Sequence, residues 1–380
     1  MKTEKLYETN AYKTSFSATV LGCEQTEKGY AVLLDKTLFF PEQGGQYADK
    51  GSLNGINVDD VRIVDDEIRH YLASPLSVGM AVEGKIDGET RFKRMQTHTG
   101  EHILSGVIHN LYGYENVGFH LGEDYATVDT SSPLSAEQIA FVEREVNKVI
   151  WEDRPVTASY PSLEELTNMN YRSKIAPKEG IRLITIEGCD VCACCAPHLS
   201  TTGQVGCLKI VSSMAHRGGT RLTVLCGKDA YDYFVKTQHI LQTAQRSLSA
   251  TPDTFLAELK RLTDRLNNAE KEIKALKLSC AKASLSFTEG KTADFAFLPD
   301  TDFDTLRRLS EGFSADKPRA IFAETGSGFS YALFSEKTDV RPLVKELNAA
   351  LNGKGGGNAT FAQGKLNAKK EDVSAFLKNL

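Results

Sequence analysis

Two short segments, His98-Thr99-Gly100-Glu101-His102 and Cys194-Cys195-Ala196-Pro197-His198, constrain this chain more than any other feature. Each sets two metal-ligating side chains four residues apart, and on a helix that spacing puts both on one face, where they can share an ion. His98, His102, Cys194 and His198 together form a borderline-soft nitrogen–sulfur set, which suits Zn²⁺ better than Mg²⁺ or Ca²⁺. The two halves are far apart in the chain, so the fold itself must join them. That separation fits a catalytic site better than a local zinc-finger clip, and it points to a zinc hydrolase.

At 380 residues the chain exceeds one ordinary core and calls for several domains. No apolar run is long enough for a membrane helix, and the start, Met1-Lys2-Thr3-Glu4-Lys5, lacks the apolar segment of a secretory signal. Of the 8 cysteines, Cys189, Cys192, Cys194 and Cys195 crowd together, which suggests metal or thiol chemistry in a reducing compartment. A cytoplasmic location is expected. The net charge of −5 does not advertise a nucleic-acid binder. From Arg341 to Lys370, however, Arg341, Lys345, Lys354, Lys365, Lys369 and Lys370 stand against the single acid Glu346. That run is either a solvated surface or a contact to phosphates.

The expected fold class is α+β in four segments. Residues 1–90 alternate as short strands between Gly, Asn and Asp breaks, among them Ala18–Leu21, Tyr30–Leu34 and Val58–Val64, and read as a small N-terminal β-barrel. Residues 91–232 hold both halves of the metal site. They contain a helix from Phe92 to Tyr112, a second from Ala136 to Glu152 behind the cap Ser135, and strands near Ile181–Ile186 and Leu222–Cys226. Residues 233–285 read as a helical hairpin or short coiled coil, with the heptad seam Leu259, Leu262, Leu266, Ala269, Ile273 and Leu276. The seam serves either self-association or packing on the preceding helix. Residues 286–380 read as a small α/β domain with paired strands Arg319–Ala323 and Ser330–Phe334 and a glycine-rich loop at Gly353–Gly357. That loop is not a P-loop, since no G-K-[ST] follows it.

His98 to His102 also satisfies H-x-x-E-H, in which Glu101 would activate water in a metalloprotease. Such an enzyme wants a carboxylate as third ligand, whereas this chain offers a Cys-x₃-His pair that a protease leaves unexplained. The bland alternative is two packed histidines and structural cysteines. Only Cys194 stands four residues before His198, which makes it a better thiolate ligand than Cys189 or Cys192. Thr37 through Gln46 adds a hydroxyl, an apolar strand and a Gly-Gly turn ending in an amide, a set that can line a pocket or simply make a β-turn.

Taken in order, these segments resemble the freestanding alanyl-tRNA editing proteins of the AlaX-like family, in the long form. Thr37–Gln46 is similar to the family's T-x-F-[YF]-P-E-x-G-G-Q segment. Arg94–Leu104 resembles its R-x-x-x-H-T-x-x-H-x-L helix, Cys194–His198 its C-x-x-x-H, and Arg221–Gly227 a later strand. Gly355–Gly364 resembles the DHH-associated domain at the end of alanyl-tRNA synthetases. Family members commonly read C-G-G-T-H where this chain has Cys195, Ala196 and Pro197 between its ligands.

The resemblance implies a zinc-dependent deacylase acting on mischarged tRNA(Ala), chiefly Ser-tRNA(Ala), with Gly-tRNA(Ala) as a further substrate. No aminoacylation domain precedes the match, so editing in trans is expected. An alanine pocket rejects an added hydroxyl by only about 10²-fold, so a second site must remove serine. Thr37 is the expected partner of the serine hydroxyl, Gln46 the group that orients water or the terminal ribose, and Glu101 a candidate base. Whether His198 ligates in the resting state stays open. Lys354, Gly355, Gly356, Gly357, Lys365, Lys369 and Lys370 are the candidate tRNA contacts, and residues 233–380 the candidate homodimer surface. A non-catalytic tRNA-binding protein with a structural zinc is the rival reading.

Overall fold

A computed structural model describes residues 3–27, 29–122, 125–173, 176, 178–311 and 316–379. They form two compact units, Met1–Gln242 and Thr243–Leu380. The boundary falls inside the helix Gly227–Ser247.

The first unit opens with a closed six-stranded barrel built from Ser15–Thr26, Gly29–Leu34, Gly51–Leu53, Ile56–Val64, Glu67–Leu72 and Ala81–Ile86. Its strands alternate as a half-buried sheet must: Phe16, Ala18 and Val20 point inward, as do Val82 and Ile86. Leu38, Phe39 and Phe40, just past the short strand Lys36–Thr37, are fully buried in the same core.

The helix Gly88–Tyr112 follows without a linker. Asp87 caps its start by accepting from the Thr90 amide, and Gly113 ends it in the left-handed conformation. An antiparallel sheet flanks it, in the order Leu208–His216, Gly219–Cys226, Ala126–Thr130, Asn116–Leu121. The helix Ala136–Trp151 starts with a full capping box at Ser135. A three-stranded sheet of Val156–Ser159, Leu183–Ile186 and Asp190–Ala193 completes the unit.

One buried cluster ties this helix to the barrel. Arg91 is 2% exposed and forms an ion pair with Asp49, also 2% exposed. Arg91 Nη2 also donates to the Leu38 carbonyl at 2.7 Å, and Nη1 to the Ala11 carbonyl at 3.2 Å. Asp49 in turn accepts from the Phe40 amide at 2.7 Å. One turn further on, Arg94 donates to the Ala48 carbonyl at 2.7 Å.

The second unit holds the helix Phe255–Ser284 and a five-stranded sheet in the order Asp294–Leu298, Arg319–Thr325, Gly328–Phe334, Phe361–Leu366, Gly353–Gly357. The first pair is parallel and the rest antiparallel. The helices Phe303–Ser310, Arg341–Ala350 and Lys370–Asn379 accompany it. Leu278, Ala281 and Leu285 at the end of the long helix pack with Leu306 and Leu309.

Two local expectations change. Gly353–Gly357 is an edge strand paired with Phe361–Leu366, not a loop. A side chain at Gly355 would strike the Gln363 carbonyl and the Tyr331 hydroxyl, so glycine is needed there for close packing. Cys194–His198 lies after the strand Asp190–Ala193 and outside any helix, so its two ligands meet through a turn. The heptad seam is helical but uncovered, with Leu259, Leu266 and Ile273 at 44%, 58% and 53% exposure.

Asp49→Asn keeps the volume and leaves the Arg91 charge buried without its partner. That change is expected to destabilise the first unit by about 3–5 kcal/mol in denaturant titration. A loss near zero would show that the pair does not anchor the helix.

Candidate metal centre and active site

The helix Gly88–Tyr112 carries His98 and His102 on one face, 3% and 2% exposed. The turn after Asp190–Ala193 brings Cys194 and His198 to that face, and ligand atoms of all four residues lie within 4.8 Å of one another. Cys194 Sγ is 3.6 Å from His98 Nε2 and 3.3 Å from His198 Nε2. Tetrahedral zinc with bonds of ~2.0–2.3 Å requires nitrogen–sulfur edges of about 3.5 Å. The donor set therefore fits the ion in both chemistry and spacing.

All three imidazoles are held by Nδ1, which leaves Nε2 for the centre. His98 Nδ1 donates to Gln46 Oε1 at 2.9 Å. His102 Nδ1 donates to Asp190 Oδ2 at 3.1 Å, and His198 Nδ1 pairs with the Thr99 hydroxyl at 3.1 Å. Such outer partners fix the tautomer and ring orientation of a metal ligand. Asp190 is gripped in turn by Arg172, whose Nε and Nη2 donate at 2.7 and 2.8 Å. Burial pushes the Asp190 carboxyl up, but hydrogen bonds from Arg172 and His102 bring it down to about 2. Gly106 makes this approach feasible: a Cβ there would sit 2.6 Å from the Cys189 carbonyl and 2.8 Å from Asp190 Cβ.

The four crowded cysteines separate by their chemistry. Burial pushes Cys189 and Cys195 up to about 12 and raises Cys192 as well. Burial also acts on Cys194, but the imidazoles of His98, His198 and His102 around it hold its thiol well below the usual range. A thiolate is the metal-binding form, so Cys194 is the ligand this environment favours. A second grouping, His102 with Asp190 and Cys192, competes poorly because Asp190 is already committed to Arg172.

The centre opens on a cleft of about 490 Å³, whose walls include His98, His102, Cys194, Glu101, Phe119 and Arg172. Gln46, 1% exposed, holds His98 through Oε1, while its Nε2 is a buried donor without a partner. Glu101 lies in the cleft wall with Oε1 bound by Ser105 and Asn116.

Thr37 ends the short strand Lys36–Thr37. It is fully buried in the barrel, its hydroxyl 2.8 Å from His70 Nε2 and accepting from the Phe39 amide at 3.1 Å. Burial pushes His70 down to about 4, and its Nδ1 donates to the Val32 carbonyl at 3.1 Å. His70 Nε2 is thus an acceptor and takes the Thr37 proton, so this hydroxyl is spent inside the fold.

The candidate tRNA contacts lie in the second unit. Lys354 and Lys365 face each other across the edge strand pair. Lys365 and Lys370 rest over the rings of Phe303 and Phe297 at 6.0 and 4.9 Å. Sequence reasoning missed Asp190, Arg172, Thr99, Ser105 and Asn116. Thr99 lies within one ligand segment and Ser105 and Asp190 lie within four residues of one, while Arg172 and Asn116 carry no local signal.

Residues 181–222 match the family model described as the threonyl and alanyl tRNA synthetase second additional domain. Over 95% of its length the chain is 31% identical to an alanine–tRNA ligase of Ignicoccus hospitalis and covers 41% of that protein. It thus spans about two fifths of the ligases it matches. An alanyl-tRNA editing protein, AlaX-L, of Pyrococcus horikoshii is 29% identical, with 97% of this chain and 96% of the relative aligned. The editing protein Aarsd1 of Mus musculus is 25% identical over 98% and 97% of the two chains. The chain is therefore a homologue of the alanine–tRNA ligases over part of their length. Its resemblance to the alanyl-tRNA editing proteins runs from end to end.

Cys194→Ala is expected to lose most bound zinc, since removing one ligand costs a coordination bond and unbalances the rest. Cys189→Ala is expected to retain it. Metal analysis of the two purified variants checks this, and a zinc-poor Cys189→Ala would reassign the cluster.

Proposed function

We propose that this protein is a zinc-dependent trans-editing hydrolase. It removes wrong amino acids from tRNA(Ala), chiefly as Ser-tRNA(Ala) and also as Gly-tRNA(Ala). The observation that carries the reading is the convergence of His98, His102, Cys194 and His198 on the wall of one cleft. The end-to-end similarity to the editing proteins supports the substrate class.

Zn²⁺ held by His98, His102 and Cys194, with His198 as the resting fourth ligand that yields its place, would supply Lewis-acid polarisation of the aminoacyl ester carbonyl. Gln46 positions His98 through its carbonyl and offers the unpaired Nε2–H to an oxygen of the substrate or to the attacking water. Asp190 and Arg172 lock the His102 ring, and Thr99 pairs with His198 Nδ1. The H-x-x-E-H protease reading loses its third carboxylate ligand, because a cysteine and a histidine stand there.

In the second unit, which we assign to the DHH-associated type, Lys354, Lys365, Lys369 and Lys370 with the backbone of Gly355, Gly356 and Gly357 form the tRNA contact. Phosphate pairing there makes binding salt-dependent. The uncovered seam on Phe255–Ser284 serves a homodimer through residues 233–380. No helix among the described residues is long and apolar enough to cross a membrane, and we assign the protein to the cytoplasm.

The test is deacylation of Ser-, Gly- and Ala-tRNA(Ala) by the zinc-loaded protein. Serine should be released at least about tenfold faster than alanine, since one buried hydrogen bond is worth roughly 1–3 kcal/mol. Chelation should abolish release and added Zn²⁺ restore it. A closed four-ligand set is also the hallmark of a structural zinc. Firm tRNA binding with zinc present and no deacylation would decide for a non-catalytic tRNA-binding protein.

Thr37→Val removes a buried hydroxyl and strands His70 Nε2. Its expected effect is a stability loss of about 1–3 kcal/mol with serine preference retained. Lost preference at unchanged stability would return Thr37 to the substrate pocket.

A further inference from the structure

Glu101 is the carboxylate of the cleft wall nearest the metal centre. It is 4% exposed, and its Oε2 lies 4.0 Å from His102 Nε2, the nitrogen that faces the centre. Two neutral donors fix it: Ser105 Oγ donates to Oε1 at 2.5 Å and Asn116 Nδ2 at 2.6 Å. Asn116 is braced by the Gly118 amide, which donates to its Oδ1 at 3.0 Å. Oε2 receives no hydrogen bond among the described residues.

The other carboxylates of this region are already matched. Glu8 pairs with Lys5 at 3.6 Å and accepts from Tyr160, and Glu115 pairs with His109 at 2.9 Å. Asp190 is held by Arg172 and His102. Glu101 alone in this set presents a buried carboxylate oxygen toward the cleft with no Lys or Arg bonded to it. A buried carboxylate in such a place calls for a cation.

We propose that Glu101 Oε2 receives the α-ammonium group of the aminoacyl ester. The substrates are then esters of amino acids with a free α-amine, and N-acylated aminoacyl-tRNA and peptidyl-tRNA are excluded. This inference rests on the editing reading and names its substrate class more closely. The charges support it. A divalent ion with one thiolate and three neutral imidazoles carries one net positive charge, which repels an incoming ammonium. Glu101 offsets that charge beside His102 and gives the ammonium a charge-assisted hydrogen bond. N-acylation removes the positive charge and adds bulk at the same place. The role differs from that of a base: the carboxylate holds the substrate by its amine.

The experiment compares seryl-tRNA(Ala) with N-acetylseryl-tRNA(Ala), using the full-length zinc-loaded protein. Blocking the amine should lower kcat/KM by roughly ten- to a hundredfold, the worth of one hydrogen bond to a charged group. A readout without turnover is the affinity for adenosine carrying serine through a stable 3′-amide, with and without an N-acetyl group. The free amine should bind more tightly by the same factor. Glu101→Gln keeps an acceptor for Ser105 and Asn116. It should retain its zinc while closing the gap between the free and blocked forms in both assays. Equal hydrolysis of the two esters overturns the assignment of Glu101 and leaves the editing activity standing. If neither ester is hydrolysed, the editing reading falls. The amide affinities then decide Glu101 alone, and equal affinities overturn it.

Discussion

The buried pair of Arg91 and Asp49 is the joint on which the site depends. Arg91 sits two turns before His98 on the same helix, and Asp49 lies three residues after Gln46. Pairing them, with the Leu38 and Ala11 carbonyls on the same guanidinium, fixes the helix against the turn that carries Gln46. The Gln46–His98 hydrogen bond follows from that docking. A buried ion pair adds little net stability once its desolvation is counted. Its value here is positional, since an apolar contact of equal area would not set the register of the helix against the barrel.

From that joint the centre is assembled by three different neighbours acting on three imidazoles. An amide carbonyl holds His98, a carboxylate gripped by an arginine holds His102, and a hydroxyl holds His198. The carboxylate raises the basicity of the His102 ring and with it the ring's strength as an electron donor to an ion. Cys194 is reached by histidines on several sides, which explains why it alone in a cluster of buried thiols is driven toward the thiolate. The surrounding cysteines are kept protonated by burial, so the cluster offers one soft ligand and not four.

Much of this was legible in the sequence, because the signals are local. The runs Ala18–Leu21 and Tyr30–Leu34 fall inside the barrel strands Ser15–Thr26 and Gly29–Leu34, and the cap at Ser135 opens its helix. The spacing of His98, His102, Cys194 and His198 pointed to the four residues that the fold gathers. What failed did so for physical reasons. A four-residue step suggests a helix, yet Cys194 and His198 meet across an irregular segment outside any helix. Consecutive glycines at Gly355–Gly357 read as a loop, while their small size serves an edge strand lying close to Tyr331. The Thr37 hydroxyl meets His70, 33 residues away, with no pattern in the sequence to join them. Asp190, Arg172 and Asn116 were invisible for the same reason: their roles arise only when distant segments meet.

The central claim is the identity of the four ligands, and X-ray absorption at the zinc edge of the loaded protein tests it most directly. The account predicts one sulfur at ~2.3 Å and three nitrogens at ~2.0–2.1 Å. A first shell with two or more sulfurs would contradict it and place the ion among Cys189, Cys192 and Cys195 instead.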